Sequence, residues 1–212
     1  MDLSFCQIKV ESQLLADQGF RAVFSCSGHL DSSVLLDVIC PIIQNSGVRS
    51  VEILHFNFKL RGNESDQNEK FIRDVAKSMK LKIKVIDVEK ESKMLFRKNQ
   101  STQMWAREVR EFYYRQYIEK GYVVIMGHHQ NDRAETALFR LIRGSSSYRL
   151  DGMTRLGDGK WRPLLNLSQA EVKALGKLHH TVHQEDSSNA TMAYSRNILR
   201  HRVMPVLNDL FA

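Results

Sequence analysis

Two short runs concentrate the reactive side chains of this 212-residue chain. The first is Ser25-Cys26-Ser27-Gly28-His29-Leu30-Asp31-Ser32, a polar stretch between the apolar run Ala22-Val23-Phe24 and a helical pattern. Small residues between a strand and a helix turn several backbone N–H groups toward one point, where the helix dipole also favours an anion. Ser27, Ser32 and Ser33 add hydroxyl donors, so the chemistry offered is phosphate binding. A carboxylate does not suit phosphate directly, and Asp31 either holds a Mg²⁺ ion or caps the helix. The second run, Gly127-His128-His129-Gln130-Asn131-Asp132-Arg133-Ala134-Glu135, follows the apolar Val123–Met126. Adjacent histidines at a strand end point in different directions, which argues against a shared metal. Asp132 is placed to cap the next helix. Arg107 and Arg110, three apart on one helix face, suit a pairing with Glu108, Glu111 or other acids.

Both runs need strand ends to hold them, and the surrounding pattern supplies these. Residues 2–17 read as an amphipathic helix with Leu3, Ile8, Leu14 and Leu15 near one face, and Leu30 to Gln44 carries apolar residues at helical spacing. Val51 to Asn57 is a second strand, Glu64 to Lys80 a helix, and Lys82 to Val88 a strand with one solvated side. A helix over about 102–120, a buried strand over 123–126 and a helix over 131–143, capped by Asn131 or Asp132, complete the alternation. Strands separated by helices of this length predict an α/β fold: a mostly parallel five-stranded sheet with helices on both faces. Such sheets bind ligands at the carboxyl ends of their strands, where both polar runs fall. After Gly144, Ser145-Ser146-Ser147 and the glycines at 152, 157 and 159 read as a linker, followed by helices near 168–178 and 195–210. The expected division is a catalytic domain over 1–150 and a linker with a helical tail over 151–212, packed on the same domain.

Composition narrows the class. No apolar run approaches the roughly 20 residues of a bilayer span, and the first residues lack the layout of a signal or transit peptide. Three cysteines, Cys6, Cys26 and Cys40, with no Cys-x-x-Cys spacing argue for a reducing compartment and against a thiolate metal site. The expected location is the cytoplasm, with no membrane partner. The net charge is +7, and it is uneven: residues 1–50 hold three Lys/Arg against five Asp/Glu, residues 51–100 twelve against eight. That balance suits either a polyanionic partner or a solvated basic face.

The motifs in order resemble one family. The first run is similar to S-G-G-x-D-S, the pyrophosphate loop of enzymes that split ATP between its α- and β-phosphates. Gly127-His128-His129-Gln130-Asn131-Asp132-Arg133-Ala134-Glu135-Thr136, with Leu141-Ile142-Arg143-Gly144, resembles the G-H-H-x-x-D-Q-x-E-T…R-G signature of tRNA(Ile)-lysidine synthases. His55-Phe56-Asn57-Phe58-Lys59-Leu60-Arg61 resembles H-V-N-H-x-L-R, and Ala106 to Tyr113 the A-R-x-x-R-Y helix. Arg162-Pro163-Leu164-Leu165, Asp186-Ser187-Ser188-Asn189 and Arg196 to Arg200 are similar to the later family segments, so the likeness runs over about residues 20–207.

In that family ATP adenylates the C2 oxygen of the wobble cytidine in the CAU anticodon of isoleucine tRNA. The ε-amine of L-lysine then attacks, and AMP and pyrophosphate leave. The resemblance implies an ATP site of Ser25, Cys26, Ser27, Gly28, His29, Leu30, Asp31, Ser32, His55, Asn57, Gly127 and His128, with Asp31 holding Mg²⁺. It implies catalytic roles for Asp31, Asp132, Arg107 and Arg143, and tRNA contacts from Arg61, Arg110, Arg196, Asn197 and Arg200. The chain departs from the pattern at His29, which stands for a glycine, at Phe58 and Lys59, and at Arg133, which stands for glutamine. If the position of His29 required positive φ, the substitution would cost about 1–2 kcal/mol. The end at Ala212 implies a short form without the family's C-terminal tRNA-gripping domains. A homodimer, another enzyme on the same ATP loop, and a non-enzymatic tRNA or nucleotide binder stay open from the sequence.

Overall fold

The computed structural model describes residues 2–91, 101–144, 153–185 and 195–211. Helix α1 (Asp2–Asp17) leads into β1 (Arg21–Ser25), α2 (Leu30–Val34), a π-helical turn (Leu35–Ile39) and α3 (Cys40–Asn45). Next come β2 (Val51–Asn57), α4 (Asn63–Ser78), β3 (Lys82–Asp87), α5 (Val88–Glu91), α6 (Thr102–Glu119), β4 (Tyr122–Met126) and α7 (Gln130–Ile142). The rest is β5 (Leu156–Gly157), β6 (Lys160–Trp161), α8 (Gln169–Leu178), α9 (Ser195–Ile198), a second π turn (Leu199–Val203) and α10 (Met204–Phe211). The helix after β1 is continuous but changes its ladder just before Pro41, which has no N–H to give to Asp37.

The sheet has six strands in the order β3-β2-β1-β4-β6-β5 rather than the five expected. Five are parallel, and the sixth, β5, pairs antiparallel with β6. The extra strands lie where the glycines of 157 and 159 read as linker. Asp158 and Gly159 both take positive φ, +50° and +68°, which makes a tight two-residue hairpin turn of the Asp-Gly type. A Cβ at Gly159 would sit 2.6 Å from the Ile118 side chain, so only glycine fits under α6 there.

The chain steps outward from β1 to β2 and β3, then returns to lay β4 on the other side of β1. This reversal opens a crevice at the carboxyl ends of β1 and β4, which pair from Arg21↔Tyr122 to Ser25↔Met126. Both strands are covered on two faces, which explains their unbroken apolar runs. One face packs Ile8 and Leu15 of α1, Val34, Ile72 of α4, and Val172 and Leu175 of α8. The other packs Val109 and Tyr114 of α6 against Val23, Leu54 and Val124. On α1, Leu14 points to solvent, and Ser12 takes the buried position between Ile8 and Leu15. Edge strand β3 alternates exposed Lys82 and half-buried Ile83, and its lysines discourage pairing with another chain. No helix among the described residues is long and apolar enough to cross a membrane.

Candidate active site

The loop between β1 and α2 is organised around one hydroxyl. Ser32 Oγ accepts from the backbone N–H of Ser27 (3.3 Å) and of Gly28 (3.2 Å) and donates to the His29 carbonyl (2.9 Å). Ser33 Oγ donates to the Gly28 carbonyl, which also accepts the Gln184 N–H at 2.9 Å. Positive φ is needed at Gly28 (+90°), not at the following residue. His29 has φ −82° and ψ 167°, ordinary extended backbone at the start of α2, so the strain considered for it does not arise. Cys26 is buried with its thiol donating to the Ser32 carbonyl, and burial pushes that thiol up to about 11, so it stays neutral. Leu30 contributes backbone here, because its side chain lies under Gly176 of α8. Ser25 turns the other way, pairing with the Tyr114 hydroxyl at 2.6 Å on the α6 face.

At the neighbouring strand end, Gly127 makes the close approach. A Cβ there would stand 2.9 Å from the Asp31 carbonyl oxygen, so glycine lets β4 touch the loop. His129 begins α7 and is almost wholly buried, its Nε2 lying 3.5 Å from Asp132 and 3.8 Å from Asp31. Asp132 reaches back to accept the His129 N–H at 3.1 Å. It therefore does cap α7, from the third position of the helix, while Asn131 accepts the Gln169 N–H. One turn on, Glu135 is 2% exposed. Arg200, from the π turn of the tail, grips Glu135 with two nitrogens and reaches Asp132 Oδ1 at 3.3 Å. Asp31, Asp132, Glu135, His129 and Arg200 thus form one cluster over the loop. Burial and the nearby Asp132 hold the Asp31 carboxyl above the usual range, against the pull of His129 and Arg200.

At the end of β2, His55 is buried and its Nδ1 pairs with the Cys26 carbonyl at 2.9 Å, so it braces the phosphate loop from below. Burial holds its imidazole below the usual histidine range, partly offset by that bond. Its Nε2 is buried with no partner among the described residues. Asn57 is committed to the following turn: it donates to Asp66 and Glu69 and accepts the Lys59 N–H. Arg61 pairs with Glu64 at 2.9 Å.

The remaining arginines separate. Because α6 runs into β4, its first half lies beside the carboxyl ends of the strands. There Arg110 stands over the Phe58 ring (5.7 Å) and Arg107 is exposed. Phe58 itself packs on Phe56 and Trp105. Arg143 does not join the acid cluster. It ends α7, eleven residues and therefore about 16 Å beyond Asp132, and lies on Phe139. Asn197 is half-buried on α9, whereas the side chain of Arg196 and the segments 145–152 and 186–194 lie outside the described residues.

The sequence reading passed over a second polar group under α6. Lys160 pairs with Glu111 and lies near the Tyr114 ring, and Arg162 donates to His128. Tyr114, packed in the core under α6, also pairs its hydroxyl with Ser25. Among the described residues no group of three or more His, Cys, Asp or Glu is arranged to hold a metal ion.

The PP-loop domain family matches residues 5–207. The tRNA(Ile)-lysidine synthase of Chlorobaculum tepidum is 32% identical over 202 residues, 94% of this chain and 60% of that protein. The synthase of Parabacteroides distasonis is 31% identical over 96% of this chain and 46% of its own length. The chain therefore spans about half the length of these curated relatives. Among solved structures, a U34-tRNA thiolase from Methanococcus maripaludis superposes with a TM-score of 0.70 at 14% identity, covering 99% of this chain and 74% of its own. An NH3-dependent NAD synthetase from Campylobacter jejuni gives 0.57 at 14% identity, covering 98% and 84%. At such identity these two establish a common fold and nothing finer.

Proposed function

We propose, from the premise that this chain belongs to the PP-loop domain family, that it carries the ATP-dependent core of a tRNA(Ile)-lysidine synthase. The observation that carries the reading is the meeting of two sites at one strand reversal. The phosphate loop at the end of β1 touches, through Gly127, the cluster of Asp132, Glu135 and Arg200.

In this reading the Ser27–Ser33 loop holds the pyrophosphate end of ATP by its backbone N–H groups and hydroxyls at the start of α2. The cytidine C2 oxygen attacks the α-phosphorus and pyrophosphate leaves. Asp31, a single partly exposed carboxylate beside that loop, suits a Mg²⁺ ion bound mainly through phosphate oxygens and water. Such an ion would neutralise charge on the phosphates. The lysine ε-amine must be neutral to attack C2, and Asp132 is the carboxylate placed to receive its proton. Arg200 and the His129 N–H orient Asp132, so Arg200 acts on the acid pair, with any RNA contact secondary. AMP then leaves. His55 supports the loop, while Arg107, Arg110 and Arg61 around the strand ends would meet tRNA phosphates. Arg143, remote from Asp132, belongs with those RNA contacts.

Incubation with CAU-anticodon isoleucine tRNA, ATP, Mg²⁺ and labelled L-lysine tests the reading. Label in the tRNA, lost in Asp132→Ala with ATP binding retained, is the expected result. Binding of tRNA and ATP without any label would reduce the protein to a non-enzymatic binder.

A further inference from the structure

Cys26, the first residue after β1, still donates its N–H to the Leu54 carbonyl of β2 at 3.0 Å, although the paired register ends at Ser25↔Leu54. Its carbonyl goes instead to a side chain, the ring of His55 on β2, whose Nδ1 lies 2.9 Å away. A carbonyl only accepts, so Nδ1 must carry the ring proton. We propose that His55 is a positioning residue for the phosphate loop: protonated at Nδ1, it fixes the Cys26–Ser27 peptide plane and thereby aims the Ser27 N–H at a phosphate oxygen of the bound ligand.

The aim follows from the planarity of the peptide. In a trans peptide the C=O and N–H point in opposite directions, so a carbonyl held on His55 sends the Ser27 N–H away from β2 and into the loop. Ser27 is exposed, and its N–H and that of Gly28 converge on Ser32 Oγ at 3.3 and 3.2 Å. Both bonds are long, and a charged phosphate oxygen is the stronger acceptor for the two donors. Removing the ring takes a donor from the carbonyl of a buried residue. Turning the plane to find another would carry the Ser27 N–H out of line.

The surroundings of the ring favour this one form. His55 is buried, and the charged or titratable groups that act on it are Glu69 and Arg73 of α4 and His29 of the loop. Glu69 already accepts from Asn57 and from Arg73. A second proton would put an N–H and a charge at Nε2, which is buried and meets no acceptor among the described residues. His55 thus acts through the backbone of the loop. The aim rests on the nucleotide site proposed above; the anchoring of the carbonyl does not.

Two-bond ¹H–¹⁵N spectra of the histidine rings in the ligand-free protein near neutral pH read the anchor directly. The expected result is His55 protonated at Nδ1 alone. Calorimetry with ATP and with inorganic pyrophosphate tests the aim. His55→Leu should weaken both ligands about tenfold, whereas His55→Asn, whose amide can place an N–H where Nδ1–H stood, should stay within about threefold of the wild type. Pyrophosphate should also shift the Ser27 amide resonance of the wild type. A ring proton on Nε2 overturns the anchor, and pyrophosphate binding that leaves the Ser27 amide unmoved overturns the aim; neither result needs a variant that folds. Wild-type affinity in His55→Leu shows that the loop holds without the donor, and His55→Asn as weak as His55→Leu shows that only the bulk of the ring counts; each overturns the aim. Failure of the wild type to bind either ligand sinks the nucleotide reading together with the aim, while the ring proton still decides the anchor.

Discussion

The phosphate loop and the acid cluster adjoin but are built on different length scales. In the loop, the hydrogen bonds of the Ser32 and Ser33 hydroxyls join residues three to five apart in sequence. In the cluster, Arg200 meets Asp132 and Glu135 across 68 and 65 residues. The loop is organised by local turn chemistry and braced from outside by His55 and the Gln184 N–H, while the cluster exists only once the tail has packed on α7. The difference teaches that nucleotide binding and amine chemistry can be broken separately.

Arg200→Ala should show this most strongly. It removes two charge-assisted hydrogen bonds from the buried Glu135, a loss of about 3 kcal/mol in denaturant unfolding, with ATP affinity little changed. An equal collapse of ATP affinity would break the distinction. Gly127→Ala acts on the one contact that the regions share. Its methyl would stand against the Asp31 carbonyl, costing about 1–3 kcal/mol and about tenfold in ATP affinity by calorimetry. Asp31→Asn sharpens the comparison by pH. The Asp31 carboxyl is raised, so its ionisation penalises the folded state, and the penalty grows as pH rises from about 3.9 through the folded value. The variant should therefore melt slightly higher, by about 1–3 °C at pH 8, with the gain gone below the unfolded value. His29→Gly should do least. With φ −82° no glycine is needed, so only the backbone entropy of about 0.5–1 kcal/mol separates the two, and ATP affinity should stay within about fivefold.

Much of the fold was legible because its signals are local. Val51–Asn57 reads as a strand from its apolar residues, and α6 and α7 read as helices from their spacing, each within two residues of its observed ends. The Asp158-Gly159 hairpin carried a readable signal too, but strands of two residues have no periodicity to support it. Ser25 could have been assigned to the α6 face from alternation along β1, since it shares parity with Val23. The pairing of Lys160 with Glu111 could not have been found so, since nothing in either segment points to the other.

The sequence by itself determined the alternating α/β order, the phosphate loop with its required glycine at 28, and the family likeness of the motifs. Those features depend on neighbours within a few residues, and a linear pattern preserves such neighbours. Only the tertiary structure decided that Arg200 closes on Asp132 and Glu135, that Asp31 lies beneath Gly127, and that Arg162 faces His128. Each of those contacts joins segments set side by side by sheet order and helix packing, a placement that depends on the whole core rather than on any one stretch of chain.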